Sequence, residues 1–310
     1  MRYLVTGGAG FIGSNTVEEL VHRGHEVTVV DDLSTGKEEN LASFRNKIEF
    51  VRGSITDRET LERVCRGVDY VLHLGARTSV PRSVKQPVET NKVNVDGTLN
   101  VLVVARDAAV RRVVFASSSS VYGETPTLPK REDMPPAPIS PYGVTKLVGE
   151  LYGSVFHRVY GLDFVALRYF NVFGPRQDPA SQYSGVLSLF ITALRDGRAP
   201  TVYGDGEHSR DFTFVANVVT GNIQACETPG IGGGIFNLGT GGRYTLNHTL
   251  KLLEKISGRA ANAVHAPARE GDIRDSQADI SLARRKFGYD PRVGFEDGLR
   301  KTWEWYCGNH

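Results

Sequence analysis

Tyr3-Leu4-Val5 running into Thr6-Gly7-Gly8-Ala9-Gly10-Phe11-Ile12-Gly13 decides the fold. A short apolar run stops at a cluster of glycines, and from Ser14 to Arg23 the apolar residues return at helical spacing. Strand, glycine turn and helix in that order suit a dinucleotide. The glycines let the backbone turn tightly and come close to a pyrophosphate, and the first amides of the helix offer unpaired donors to it. A second strand, Glu26-Val27-Thr28-Val29-Val30, ends at Asp31, the distance at which a carboxylate takes ribose hydroxyls. Asp31 and Asp32 together would repel a 2'-phosphate, so the expected cofactor is NAD and not NADP.

The alternation continues outward from that unit. Strands are expected at 48–51, 69–74 and 112–116, with helices at 58–65 and 91–107 between them. Such a rhythm predicts a doubly wound parallel sheet with helices on both faces, whose ligands bind beyond the carboxyl ends of the strands. Ser117 to Ser120 follow the strand 112–116 and so fall near the reacting end of a bound dinucleotide, although a serine run is also ordinary turn chemistry. Next comes Ser140-Pro141-Tyr142-Gly143-Val144-Thr145-Lys146, with Ser140 suited to cap a helix and Pro141 to its first position. Tyr142 and Lys146 then share one helix face, so the ammonium can approach the phenol, or both can reach one bound molecule. A free phenol has a pKa of about 10 and needs a neighbouring cation to act as a base at neutral pH.

Composition bounds the remaining classes. With 310 residues, 40% apolar and 23% charged, the chain can bury a large core and is not of disordered type. A net charge of +2 without a basic run gives no nucleic-acid surface, and no apolar stretch reaches the roughly 20 residues of a membrane span. Cys65, Cys226 and Cys307 lie too far apart for a metal motif, which fits a cytoplasmic protein without a metal. A cofactor lobe is expected over residues 1–165, to which segments near 213–240 return. Residues 166–310 would mainly form a smaller α/β substrate lobe built from loops and a few helices.

Taken together, 6–13, Asp31-Asp32-Leu33-Ser34-Thr35-Gly36, Ser117-Ser118-Ser119-Ser120-Val121-Tyr122-Gly123 and 140–146 resemble the extended short-chain dehydrogenase/reductase family. The likeness is to its NAD-dependent nucleotide-sugar epimerase and dehydratase branch and covers nearly the whole chain. It implies that Tyr142 transfers the proton, that Lys146 binds the nicotinamide ribose and lowers the phenol pKa, and that Ser118 bonds the reacting hydroxyl, with Ser117 and Ser119 as rivals. The implied cofactor site comprises Gly7, Gly10, Phe11, Ile12, Gly13, Asp31, Asp32, Ser34, Thr35, Gly36, Ser54, Ile55, Leu74, Gly75, Ala76, Tyr142, Lys146 and Phe170. One departure is Gly53-Ser54-Ile55, where the family often carries an aspartate against the adenine.

For the substrate, the resemblance implies Ser118, Tyr142, Asn171, Val202, Tyr203, Arg210, Arg269, Asp272 and Ser276. The arginines would meet the diphosphate, since guanidinium matches phosphate oxygens with paired donors. Asn217 stands where the family usually has aspartate and is expected to support structure. Ser118-Ser119-Ser120 replaces the Thr-Asp-Glu of the 4,6-dehydratases, so epimerisation at C4 through a 4-keto sugar is favoured. Ser276 occupies the place of a tyrosine found in epimerases restricted to unacetylated sugars, which leaves room for an N-acetyl group. Asn171 and Asp178 replace a threonine and an arginine of the uronate epimerases, which disfavours an acidic sugar. The implied partners are a UDP-sugar and a second copy of the chain, paired through helices 91–107 and 141–160. A dehydratase, decarboxylase or reductase on the same scaffold, or a non-catalytic NAD sensor, remains the alternative.

Overall fold

The computed structural model describes residues 1–178, 185–267 and 274–308. Chain order begins β1 (Arg2–Thr6), α1 (Phe11–His22), β2 (Glu26–Asp31), β3 (Glu49–Arg52), α2 (Arg58–Val64) and β4 (Tyr70–His73). Two short helices, α3 (Val80–Lys85) and α4 (Pro87–Asn91), precede α5 (Gly97–Asp107), β5 (Arg112–Ser118), α6 (Pro141–Tyr160) and β6 (Phe164–Tyr169). Seven strands form one parallel sheet in the order β3-β2-β1-β4-β5-β6-β11, where β11 is Ile235–Leu238. The chain reverses its winding between β1 and β4. Their carboxyl ends, Thr6 and His73, are register partners, so the loops that follow diverge over a crevice.

Side chains of β1 show why the sheet is covered on both faces. Tyr3 and Val5 pack into one cluster with Val17 and Leu20 of α1, whereas Leu4 points into another with Leu61 of α2 and Val101 of α5. Full burial of a side chain such as Leu4, which is 0% exposed, is worth about 2 kcal/mol. The apolar run of a two-sided strand is therefore the direct consequence of helices on both faces.

Helix α6 carries the Tyr-Lys pair and is fixed at both ends. Ser140 Oγ accepts the Gly143 amide at 3.1 Å, Pro141 opens the first turn, and Gly161 closes the last with φ of 71°. Two glycines on its inner face let it lie close to the sheet: a Cβ on Gly149 would stand 2.4 Å from the Phe115 ring, and one on Gly153 2.1 Å from the Phe164 ring. Gly153→Ala is expected to cost about 1–3 kcal/mol in denaturant unfolding, because a ring in a packed core cannot retreat freely. An unchanged unfolding midpoint would show that helix and sheet are not held this tightly.

The helix expected over 91–107 forms, but its first part is not regular α-helix. Lys92–Asp96 form a π-helical turn between α4 and α5. Its extra residue goes with a buried Asn94, whose Oδ1 accepts the Arg77 amide at 2.7 Å and whose Nδ2 donates to Arg77 O and to Thr145 Oγ1 of α6. Insertions of this kind recur at functional sites.

The second half contains more helix than its glycines and prolines suggest. It holds β7 (Val172–Phe173), α7 (Val186–Arg195), β8 (Thr201–Tyr203), β9 (Ser209–Arg210), β10 (Thr213–Phe214) and α8 (Val215–Glu227). After β11 follow β12 (Tyr244–Thr245), α9 (Leu246–Ser257), β13 (Val264–Ala266), α10 (Ser281–Phe287) and α11 (Phe295–Gly308). Helix α8 and β11 belong to the large sheet and its cover, while β8 pairs with β13, and β9 with β12, beyond the sheet's edge. Asp211 gathers the loops there. Its buried carboxylate accepts Thr240 N and Oγ1, Gly241 N and Ala278 N. Asn217 supports structure, exchanging hydrogen bonds with the Val293 backbone at 2.8 and 3.0 Å. No helix among the described residues is long and apolar enough to cross a membrane.

Candidate active site

A cleft of about 310 Å³ opens over the carboxyl ends of β1, β2, β4 and β5. Its floor is the glycine turn. A Cβ on Gly7 would lie 2.7 Å from Gly75 Cα, and one on Gly13 2.1 Å from Gly7 O, so both positions exist only as glycine. Gly10, Phe11 and Ile12 complete that wall, and Leu74, Gly75 and Ala76 face it from the loop after β4. Asp31 ends β2 with its carboxylate held by the Ala9 amide at 2.9 Å and the Leu33 amide at 2.8 Å. Burial raises its pKa while those amides pull it down. Asp32, Ser34, Thr35, Ser54 and Ile55 line the far end, and Ser54 Oγ lies 2.9 Å from Thr56 Oγ1. Two expected members do not line this cleft. Gly36 packs behind Asp31, where a Cβ would come within 2.9 Å of both carboxylate oxygens, and Phe170 is fully buried against Tyr122.

Tyr142 and Lys146 enter the same cleft from α6. The Lys146 ammonium donates to Ala116 O at 2.7 Å and sits 5.8 Å from the Tyr142 ring centroid. The ammonium thus stands beside the tyrosine ring, and both side chains line one cleft. Burial pushes the Tyr142 phenol up to about 12, opposed by a hydrogen bond with Ser118, and burial pushes Lys146 down to about 7, opposed by the Glu150 carboxylate. The three serines separate. Ser117 is tied to Glu150, Ser118 meets the tyrosine and accepts the Ser120 amide at 3.1 Å, and Ser119 opens a short 3-10 turn.

A second cavity of about 260 Å³ adjoins the first. Asn171, Tyr203 and Arg210 line it, together with apolar side chains such as Leu187 and Phe190 of α7. Val172 and Gln177 line both cavities, which places the two compartments on either side of one short segment. Arg210 Nη1 donates to Arg274 O at 2.8 Å. Val202 is fully buried in the core beside Tyr203, and Ser276, 8% exposed, accepts Asn171 Nδ2 at 2.9 Å. Arg269 and Asp272 lie outside the described residues. Among the described residues no cluster of His, Cys, Asp and Glu could hold a metal ion.

Several lining residues carry no signal in the sequence. Val172 and Gln177 become shared walls only because β7 pairs with β10, which brings distant segments together. Arg77 and Thr78 line the first cleft beyond the loop after β4, and Arg77 is paired with Glu89 at 3.1 Å.

Residues 3–239 match the sequence pattern of the NAD dependent epimerase/dehydratase family. The chain belongs to that family. A UDP-glucose 4-epimerase of Mycolicibacterium smegmatis is 41% identical over 99% of this chain and 98% of its own. Among solved structures, a UDP-glucose 4-epimerase from Thermotoga maritima with UDP-glucose has a TM-score of 0.94 and 41% identity, covering 99% of this chain and 98% of that one. A UDP-N-acetylglucosamine 4-epimerase from Methanobrevibacter ruminantium, in complex with UDP-N-acetylmuramic acid, has a TM-score of 0.94 and 40% identity, covering 98% and 97%. Membership makes this chain an NAD-dependent enzyme, and the glycine floor, the Asp31 carboxylate and the Tyr-Lys end of the first cavity are built as that cofactor requires.

Proposed function

We propose that this chain interconverts UDP-hexoses at C4, acting on UDP-glucose and UDP-galactose and also on UDP-GlcNAc and UDP-GalNAc. The observation that carries the reading is the pair of cavities joined at Val172 and Gln177, one ending in Tyr142 and Lys146 and the other holding Tyr203 and Arg210. The names of the relatives at about 40% identity agree with it. A dehydratase is disfavoured because Ser119 and Ser120, next to Ser118, offer hydroxyls where elimination of water needs a carboxylic acid and a carboxylate.

Bound NAD would supply the site that accepts and returns hydride at the sugar C4. Tyr142 takes the proton of the 4-hydroxyl and returns it to the 4-keto sugar after the hexose has turned over. Ser118 orients that hydroxyl. Burial holds the phenol at about 12, opposed by a hydrogen bond with Ser118, and a charged Lys146, 5.8 Å from the ring centroid, favours its ionised form. Arg210 and Asn171 retain the nucleotide diphosphate during the turn, and Tyr203, with backbone around Val202, meets the base. Arg269 and Asp272 are assigned to the second phosphate contact and to the ribose of the substrate. Ser276 bonds Asn171 of the second cavity and is small, and it is assigned the side toward which an acetamido group would be turned. In lobes, 1–165 with 213–240 bind cofactor, and the remainder binds the nucleotide sugar.

A homodimer accompanies this reading. Leu151, Val155 and Val159 of α6 are 58%, 49% and 65% exposed on one helix face, and Val84 and Val88 of α3 and α4 add to the apolar surface. Two copies pairing these faces would cover it. A monomer mass by light scattering would remove that part. The three cysteines are free, in keeping with a cytoplasmic setting.

The test is incubation of the purified chain, without added cofactor, with UDP-glucose and separately with UDP-GlcNAc, resolving C4 epimers by proton NMR. Both galacto products are expected. UDP-galactose alone would refute the Ser276 assignment, and no product after NAD is supplied would refute the epimerase reading and favour a sensor.

A further inference from the structure

Beneath the tyrosine and lysine, a single carboxylate joins three elements of the site. Glu150 lies on α6 four residues after Lys146 and is 2% exposed. Its Oε1 accepts the Ser117 hydroxyl at 2.5 Å and Arg168 Nε at 2.8 Å, and its Oε2 accepts Arg168 Nη2 at 2.7 Å. Arg168 is equally buried, stands opposite Ser117 in the β5–β6 register, and lies over the Tyr122 ring at 4.7 Å. The carboxylate therefore pins the helix of Tyr142 and Lys146 to β6 through Arg168 and, through Ser117, to the end of β5 that carries Ala116 O and Ser118.

Fold stability alone does not call for this arrangement. A buried ion pair pays for two desolvated charges, and apolar residues of equal volume often serve as well or better. What they cannot provide is a fixed negative charge one helical turn from Lys146. The groups that face the lysine from other elements do not provide it either. His73 of β4 is neutral, held down to about 3 by burial and by Lys146 itself. Tyr169 of β6 is raised above its ordinary value by burial, as is Tyr142 on the same helix. Arg168 has the same sign as the lysine, and Glu132, raised by burial, lies within the field of Arg168.

We propose that Glu150 is a positioning residue of the epimerase reaction: locked by Ser117 and Arg168, it keeps Lys146 a charged ammonium and holds Ser118 in register with Tyr142. The proposal rests on the functional reading above. Lys146, brought down to about 7 by burial, loses its charge as pH rises, and Glu150 delays that loss. Removing the carboxylate must then move the loss to lower pH.

The experiment compares Glu150→Gln and Glu150→Asp with the parent holoenzyme, measuring kcat and KM across pH. Glu150→Gln is expected to lower kcat about tenfold with KM within about twofold, since the interaction acts on the chemical step. Its alkaline limb should move toward acid by about one pH unit, while Glu150→Asp keeps the limb in place. Should the single amide variant fail to fold, Glu150→Gln with Arg168→Gln removes both buried charges together, and a smaller shift in the same direction is expected, because the guanidinium has the sign of the lysine. A folded variant with an unmoved limb would overturn the proposal, whatever its kcat. NMR titration of side-chain-labelled lysine in NAD-loaded protein, assigned with Lys146→Met, reads the same coupling without turnover. Loss of the Lys146 charge at lower pH in Glu150→Gln supports the proposal, and coincident titrations overturn it, even if the parent chain proves inert toward UDP-hexoses and only the functional reading falls.

Discussion

Tyr142→Phe is expected to lower kcat for UDP-glucose epimerisation by about 10²–10⁴-fold while leaving nucleotide-sugar and NAD binding nearly intact. The substitution removes one oxygen and leaves the scaffold. Tyr142 is placed by its backbone, whose amide donates to Ser83 Oγ at 3.0 Å, and by the capped first turn of α6. The ring can keep its position near Lys146, so the variant should fold with a loss of no more than about 1 kcal/mol. What disappears is the group proposed to accept the proton of the 4-hydroxyl. Neither Ser118 nor Lys146 is suited to substitute, because a serine hydroxyl is a far weaker acid than a phenol, and the Lys146 nitrogen is held on Ala116 O at 2.7 Å. Titration calorimetry with UDP-sugar and the ratio of kcat values decide the matter. A loss smaller than about tenfold, with binding unchanged, would mean that some other group carries the proton.

Legibility in the sequence followed how local the cause was. The glycine turn, the strand ending at Asp31 and the capped helix from Ser140 are each specified by residues within a few positions, and each stands where the residues put it. Most of the lining of the first cleft was readable for the same reason, since it comes from strand ends and the loops next to them. Apolar spacing could not register the π turn at Lys92–Asp96. Its cause is a set of hydrogen bonds from Asn94 to Arg77 and Thr145, partners that only the fold brings near. In the second half, glycines and prolines hid amphipathic helices whose spacing was present, such as Leu246, Leu250 and Leu253 along α9. The joint between the two cavities depends on the parallel pairing of Val172 with Thr213 and Phe173 with Phe214, and no local pattern encodes that. Glu150 escaped notice because a carboxylate on a helix is unremarkable until its burial and its partners on two strands are known.

Gly13→Ala should abolish retained NAD and destabilise the fold together, whereas Gly10→Ala should fold and bind NAD more weakly. The difference lies in what each new methyl group would meet. At Gly13 it would stand 2.1 Å from Gly7 O, 2.7 Å from Gly8 Cα and 2.9 Å from Gly7 C, all backbone atoms of the turn itself. Gly7 in turn lies so close to the next loop that its own Cβ would stand 2.7 Å from Gly75 Cα, and its amide donates to Val30 O at 2.8 Å, so the turn cannot move aside without disturbing β2 and the loop after β4. Relief must come from shifting α1, which packs Val17 and Leu20 into the core. An overpacked site of this kind costs about 1–3 kcal/mol or more, and the displaced helix start would no longer present its amides to a pyrophosphate. At Gly10 the methyl group meets only Gly7 O, at 3.2 Å, and Gly10 has φ of −75°, which alanine adopts freely. Its effect would come from occupying part of the cleft that Gly10 lines. Absorbance of the purified variants reports bound NAD, and thermal unfolding reports the fold. Gly13→Ala protein that melts like the parent and still carries NAD would show that the turn yields more readily than its packing implies, and the close approach of α1 to the glycine floor would then not be what holds the cofactor.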